Sequence, residues 1–288
     1  MARIAVLADI HGNVPAFQAV LRDLDRQRPD EVLVGGDLVG RGPQGSAVVR
    51  AVVEKGWRSV KGNHEDYMLD FRQGRVPEDW LFKEEWSAAR FMASELSEDD
   101  AGFISALPFS LTAALDPDLR LVHGNARSAN EGLGPWTGDE ELVCQLGTGE
   151  EGLLVCAHTH RPMVRRVANG MVVNVGSVGL PFNGDTRAQY ALFERRGEGW
   201  EVELRQVPYD LAATLSIYET SGFLAAGGAT ARLLKLELEH ARPFLVPFLK
   251  WAEAASVKPG PDQIPDFLAF FRPEEPLPIF FGRLERLG

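Results

Sequence analysis

Ile4-Ala5-Val6-Leu7-Ala8-Asp9-Ile10-His11 is an apolar run that ends abruptly in an acid and a histidine. The run is short and rich in strand formers, which predicts a buried strand followed by a polar turn. The arrangement recurs four times. Glu31–Val34 leads into Gly36-Asp37, and residues 57–60 lead into Gly62-Asn63-His64-Glu65. Leu119–Val122 leads into His123-Gly124, and Leu153–Cys156 into His158-Thr159-His160. Further strands are expected at 172–175, 190–193 and 200–207, the last from the alternation of Val202, Leu204 and Val207.

Helical spacing separates the first strands. Pro15 sits where a first turn would begin, before Phe17, Val20, Leu21 and Leu24. Val48, Val49, Val52 and Val53 predict a second helix ending near Gly56. Alternating strands and helices predict an α/β fold with a mostly parallel sheet. In such sheets, ligands bind outside the carboxyl ends of the strands, which is where all five polar motifs fall. The sheet can thus gather residues as distant as Asp9 and His160.

Taken singly, each motif has an ordinary explanation. Gly-Asp is a turn pair, an Asp-x-His is a satisfied surface turn, and a lone histidine is a buried hydrogen-bonded one. Five strand ends carrying such residues together are hard to obtain from turn preferences alone. Five of the six histidines lie in these motifs. Together with Asp9, Asp37 and Asn63 they offer what a two-metal hydrolytic site needs.

The combined order resembles the calcineurin-like metallophosphoesterase superfamily over residues 4–207. Asp9-Ile10-His11-Gly12-Asn13, Gly36-Asp37-Leu38-Val39-Gly40, Asn174-Val175-Gly176-Ser177-Val178-Gly179 and Ala106-Leu107-Pro108 are similar to its small prokaryotic phosphodiesterase and phosphatase branch. The resemblance implies a four-layer α/β/β/α sandwich with a dinuclear centre. Asp9, His11 and His160 would hold the first metal, and Asn63, His123 and His158 the second, with Asp37 bridging. The donor types suit manganese, iron, zinc or cobalt, with manganese favoured. A hydroxide generated between the metals would attack phosphorus of a mono- or diester, and His64 would act as acid or charge stabiliser.

Two departures from the family pattern stand out. Gly40 occupies the place of an aspartate that orients the catalytic histidine, and Ala157 replaces a glycine before His-x-His. Arg41 retains the motif's arginine, whose planar fork suits phosphate, so it is expected to bind substrate. The other reading of Arg41 is a solvent-facing loop residue. Arg127, Arg161 and Asn183 are weaker substrate candidates, for which surface loops are the plainer reading. Trp80 and Trp86 read as core or pocket lining.

Residues 66–107 are expected to be two or three inserted helices, one starting at Ser97-Glu98-Asp99-Asp100 with acids favoured by the helix dipole. The metallophosphoesterase domain is placed at 1–210. Residues 211–288 are read as a helical appendage packed on the core, with an aromatic, proline-rich tail and a homodimer contact. Phe270, Phe271, Phe280 and Phe281 are expected to be buried against the core or a partner. His240, in the charged stretch from Glu237 to Arg242, is read as surface.

Composition narrows the function. The 288 residues are 45% hydrophobic and 25% charged, with a net charge of −11. Such a balance disfavours long nucleic acid and anionic membranes as partners, while the resemblance implies a small phosphorylated or nucleotide substrate. Two cysteines, Cys144 and Cys156, make no disulfide framework. No leader pattern is seen and no apolar stretch nears the roughly 20 residues that span a bilayer, so a cytoplasmic location is expected. The alternatives weighed are a non-catalytic phosphate- or nucleotide-binding module on the same fold, and, among enzymes, a dinucleoside polyphosphate hydrolase or protein phosphatase.

Overall fold

The computed structural model describes residues 2–147, 152–168, 170–197 and 199–271. Ten strands form two five-stranded sheets. The first holds β1 (Arg3–Leu7), β2 (Glu31–Val34), β3 (Arg58–Ser59), β9 (Ala188–Arg196) and β10 (Gly199–Val207) in the order β10-β9-β1-β2-β3. The second holds β4 (Ser110–Thr112), β5 (Leu119–Val122), β6 (Leu153–Cys156), β7 (Met163–Val167) and β8 (Gly170–Asn174) in the order β4-β5-β6-β8-β7. In the first sheet β1, β2 and β3 are parallel and β9 and β10 are antiparallel; in the second β5, β6 and β8 are parallel, flanked by antiparallel β4 and β7. The parallel expectation therefore describes the strands that carry the polar motifs.

Alternation along the strands builds the layers. Ile4, Val6 and Ala8 point between the sheets, where they meet a core containing Leu121, Val155, Val173 and Phe193. Ala5 and Leu7 point the other way, toward Phe17, Val20, Val48 and Val52 on α1 (Val14–Gln27) and α2 (Gly45–Glu54). Val122, Leu154, Cys156 and Val172 cover the outer face of the second sheet with Leu142 and Leu146 of α6 (Asp139–Leu146). The result is the α/β/β/α sandwich.

Three helices occupy the inserted region: α3 (Asn63–Arg72), α4 (Ser87–Ser94) and α5 (Glu98–Ser105). Ser97 caps α5 as its sequence suggests: Ser97 Oγ accepts from Asp100 N at 3.1 Å, and Asp100 Oδ2 accepts from Ser97 N at 2.9 Å. Trp80 and Trp86 stack on one another at 3.7 Å and on Phe71, so both serve packing.

The C-terminal helices are α7 (Leu211–Thr220), α8 (Phe223–Ala226), α9 (Gly228–His240), α10 (Leu245–Ala254) and α11 (Ile264–Phe270). Tyr218, Phe223, Leu234 and Leu238 join the helix-side core of the first sheet. Phe248 and Phe267 join Leu233 in a second cluster. Phe271 packs on Phe244 and Phe267, whereas Phe270 is 72% exposed and is not covered by the core. Pro276, Pro278, Phe280 and Phe281 lie outside the described residues. Among the described residues, no helix is long and apolar enough to cross a membrane.

Candidate metal centre

Five strand ends converge on one buried cluster. Asp9 follows β1, Asp37 follows β2, and Asn63 opens α3 just after β3. His123 follows β5 of the second sheet, while His158 and His160 follow β6. The sheets are tied together here: His158 N donates to Asp9 Oδ2 at 3.0 Å, and Gly179 N donates to the Asp9 carbonyl at 2.9 Å.

The loops are tightly wound. Among the described residues, nine non-glycines have positive φ, and six of them are Asp9, His11, Asp37, Arg41, His158 and His160. Left-handed backbone costs an L-residue roughly 1–2 kcal/mol, and such strain concentrates at functional sites. Ala157 is not among the nine, so the family's glycine is replaced there without strain.

Three imidazoles have their outer nitrogen engaged. Nδ1 of His11 lies 3.1 Å from the Val39 carbonyl, that of His160 lies 2.5 Å from the Leu180 carbonyl, and that of His123 lies 2.8 Å from the Gly35 carbonyl. Each Nδ1 proton donates outward, which leaves Nε2 facing inward in the manner of oriented metal ligands. His158 presents Nδ1 instead, 3.0 Å from Asn63 Oδ1, and His123 Nε2 is also 3.0 Å from that oxygen.

The donors fall into two groups that share one carboxylate. Atoms of Asp9, His11, Asp37 and His160 lie within 4.8 Å of one another, as do atoms of Asp37, His123 and His158. Asp37 Oδ2 is 3.6 Å from His11 Nε2 and 3.4 Å from His123 Nε2, placing it between the groups.

The electrostatics fit cations. His11 Nε2 and His160 Nε2 face each other at 3.1 Å with both Nδ1 protons directed outward. Burial lowers the His11 imidazole to about 4 and pushes His160 well below its ordinary range, so both rings are neutral near pH 7. Two inward lone pairs therefore meet without a proton between them. Asp9 Oδ1 is buried and accepts no hydrogen bond, and burial raises its carboxyl well above the usual range. His123 is held up at about 10, because the Asp37 charge overcomes the effect of burial. An unpaired buried acceptor and opposed lone pairs are relieved together by a cation.

His64 lies at the open side of the cluster, its ring 5.0 Å from that of His11. Its backbone N donates to Asp37 Oδ1 at 2.9 Å. Burial pushes its imidazole well below the ordinary value, and Arg41 acts in the same direction against Asp37. Arg41 Nε donates to His64 Nε2 at 3.2 Å. Arg41 also pairs through Nη1 with Glu237 Oε2 at 3.0 Å, so it is not the solvent-facing arginine of the alternative reading.

The weaker candidates are placed as follows. Arg127 pairs with Glu141 on the surface at 2.5 Å. Arg161 lies over the Trp136 ring at 5.5 Å, and Asn183 is exposed, accepting from Gln189 Nε2 at 2.9 Å. Cys156 is wholly buried and burial pushes its thiol up; it belongs to neither donor group. His240 is exposed, as expected of its helix, but Glu237 in the same charged stretch is completely buried.

Two glutamates carry structure that the motifs did not announce. Glu65 is fully buried and accepts from Asp37 N at 2.9 Å, Leu38 N at 2.7 Å and Gly62 N at 2.7 Å. It stitches the β2 loop to the start of α3. Its only sequence signal is its place beside Asn63-His64; Glu237 has none.

A family model described as calcineurin-like phosphoesterase matches residues 2–162. The chain is a calcineurin-like phosphoesterase. It is 23% identical over 223 residues to an uncharacterized protein of Methanocaldococcus jannaschii, covering 72% of this chain and 88% of that one. A metallophosphoesterase from Sphaerobacter thermophilus superposes with a TM-score of 0.67 at 25% identity, covering 83% of this chain and 99% of that chain. A hypothetical protein from Pyrococcus horikoshii shares the fold, with a TM-score of 0.71 at 19% identity, over 85% of this chain and all of the other. The phosphoesterase family is a dinuclear metal-dependent one, and the Asp/His cluster of this phosphoesterase is its candidate metal site.

Proposed function

We propose that this phosphoesterase hydrolyses a small phosphate mono- or diester at a dinuclear metal centre. The observation that carries the proposal is the opposed His11 and His160 nitrogens beside the unpaired Asp9 Oδ1, with Asp37 shared by a second donor group. Asp9, His11 and His160 would hold one cation, Asn63, His123 and His158 the other, and Asp37 both. Cations held there would supply a clamp on phosphoryl oxygens and a lowered pKa for bound water.

The chain's own residues supply orientation and charge. The carbonyls of Val39, Leu180 and Gly35 fix three imidazole tautomers. His64 and Arg41 present an imidazole and a guanidinium to the same space, 3.2 Å apart. That pairing supports stabilisation of charge on the phosphoryl group and leaving oxygen.

The donor set supports manganese, with iron, zinc or cobalt as the other fitting ions. Tyr218 and Glu237 wall the Arg41 side of the site, which favours a small ester or nucleotide over a phosphoprotein loop. The acidic composition supports the same choice over long nucleic acid, and a cytoplasmic location accords with the sequence reading. Residues 1–210 would form the catalytic domain and 211–288 its helical cover. The test is a substrate panel with manganese-loaded protein, pairing alkyl and aryl monoesters with diesters and bis-nucleotides. Hydrolysis of a small ester or bis-nucleotide supports the reading, and turnover of a phosphopeptide alone would overturn the preference for small substrates.

A further inference from the structure

Gly40 leaves His64 without the orienting carboxylate of the related motif, yet the ring is held. Its holder is Arg41, whose Nε donates to His64 Nε2 at 3.2 Å. Arg41 is itself fixed at three points. Its φ is 60°, its carbonyl accepts from Tyr218 Oη at 2.6 Å, and its Nη1 donates to Glu237 Oε2 at 3.0 Å. Tyr218 lies on α7 and Glu237 on α9, nearly two hundred residues downstream of Arg41 (|i−j| of 177 and 196).

Glu237 is built for the task. It is completely buried, and both of its carboxylate oxygens accept hydrogen bonds. Oε1 accepts from Phe244 N at 2.8 Å and Leu245 N at 2.9 Å at the start of α10, which leaves Oε2 for Arg41. A carboxylate anchored by two backbone donors cannot swing away, so the guanidinium it holds is confined as well. The fork of Arg41 reaches His64 through Nε and Glu237 through Nη1, a two-pronged contact a lysine cannot reproduce.

We infer that Glu237 is a positioning residue that acts through Arg41 on His64, so that the C-terminal helices complete the catalytic machinery. The inference rests on the phosphoesterase reading of His64. Because His64 Nε2 accepts from Arg41, its proton resides on Nδ1, and Glu237 maintains that tautomer at a distance.

Glu237→Gln is the informative variant. The amide oxygen can keep both backbone donors of α10, while the amide nitrogen cannot accept from Arg41. With an alkyl phosphate ester, kcat should fall about tenfold, the loss of one hydrogen bond to a charged group, with KM and metal content unchanged. In a His64→Ala background the same substitution should have no further effect. Glu239→Gln, a neighbour on the same helix, should leave the rate unaltered. Where Glu237→Gln does not fold, Arg41→Lys keeps the buried carboxylate neutralised and should lower kcat in the same way. Nitrogen-15 spectra of histidine-labelled, metal-free protein should show His64 as the Nδ1–H tautomer in wild type and as a mixture in Glu237→Gln. An unchanged kcat in folded, metal-loaded Glu237→Gln, an equal loss in the His64→Ala background, or an unchanged tautomer would overturn the inference. If wild type hydrolyses no ester, the phosphoesterase reading falls, while the spectra still report whether Glu237 positions His64.

Discussion

A Cβ placed on Gly40 would sit 2.4 Å from Nδ1 of His64 and 2.9 Å from its Cγ. The imidazole therefore occupies the space of any side chain at position 40, and a φ of +76° adds a second reason for glycine. The orienting aspartate of related motifs and this placement of His64 exclude one another. Gly40→Ala should displace the ring and lower kcat by at least about tenfold, while two cations still bind, since no ligand moves. Restoring the motif with Gly40→Asp should do the same and not raise activity. Steady-state kinetics with metal analysis of each variant provides the check, and a faster Gly40→Asp enzyme would show that His64 can be accommodated elsewhere.

His64→Ala should retain both cations and lose about 10²–10⁴ in turnover of esters with poor leaving groups, the usual worth of a positioned acid or charge stabiliser. Esters with acidic leaving groups need less help and should lose less. Comparing an alkyl with a nitrophenyl ester measures the difference. Full activity on the alkyl ester would remove His64 from the mechanism.

Asp37 and Asn63 should separate the two cation sites. Asn63 Oδ1 meets only the His123 and His158 nitrogens, so Asn63→Ala should weaken one cation, by about 10-fold or more if it acts as a ligand. Asp37 faces both groups, so Asp37→Ala should weaken both. Metal counted per chain after dialysis tests this, and equal loss in the two variants would contradict the assignment.

Glu65 should matter for stability more than for chemistry. Glu65→Ala strands three buried backbone donors, on Asp37, Leu38 and Gly62. Each costs about 1–3 kcal/mol when left unsatisfied, less whatever water enters the space. An unfolding free energy lowered by about 3 kcal/mol or more in metal-free protein is expected from denaturant titration, and an unchanged value would contradict this role for Glu65.

Acid should loosen the join between α1 and the edge of the first sheet. Burial acts to raise the Asp23 carboxyl, but Arg205 at 2.7 Å and Tyr190 at 2.8 Å outweigh it and hold it below its ordinary value. A depressed folded-state pKa contributes stability that is present above the unfolded value and lost as pH falls through the folded one. Asp23→Asn should therefore destabilise the protein near pH 7 and lose its difference from wild type in strong acid, once pH has fallen through the depressed folded-state value. Chemical denaturation at both pH values measures the change.

The strands that carry the motifs were legible because each pairs a short apolar run with an abrupt polar end. The cluster was legible for the same reason: parallel neighbouring strands bring their ends together whatever their separation in sequence. β4 and β7 were not anticipated. They are short edge strands, and the burial of β7 is broken by Arg165 and Arg166. Glu237 was hidden for another reason. Its neighbours Glu239, His240 and Arg242 make a charged helical stretch, and nothing local reveals that one of its acids turns inward to a partner 196 positions away. The packing of Trp80 on Trp86 likewise depends on the arrangement of the inserted region, not on helical spacing.

The most direct measurement adds manganese stepwise to metal-free protein and follows hydrolysis of a nitrophenyl phosphate monoester and diester. Activity on at least one ester should rise until two equivalents per chain are bound and then level off, and Asp37→Ala should show no such rise. A rate that stays at zero with manganese, iron, zinc and cobalt alike, or that saturates at a single equivalent, would contradict a two-cation phosphoesterase centre.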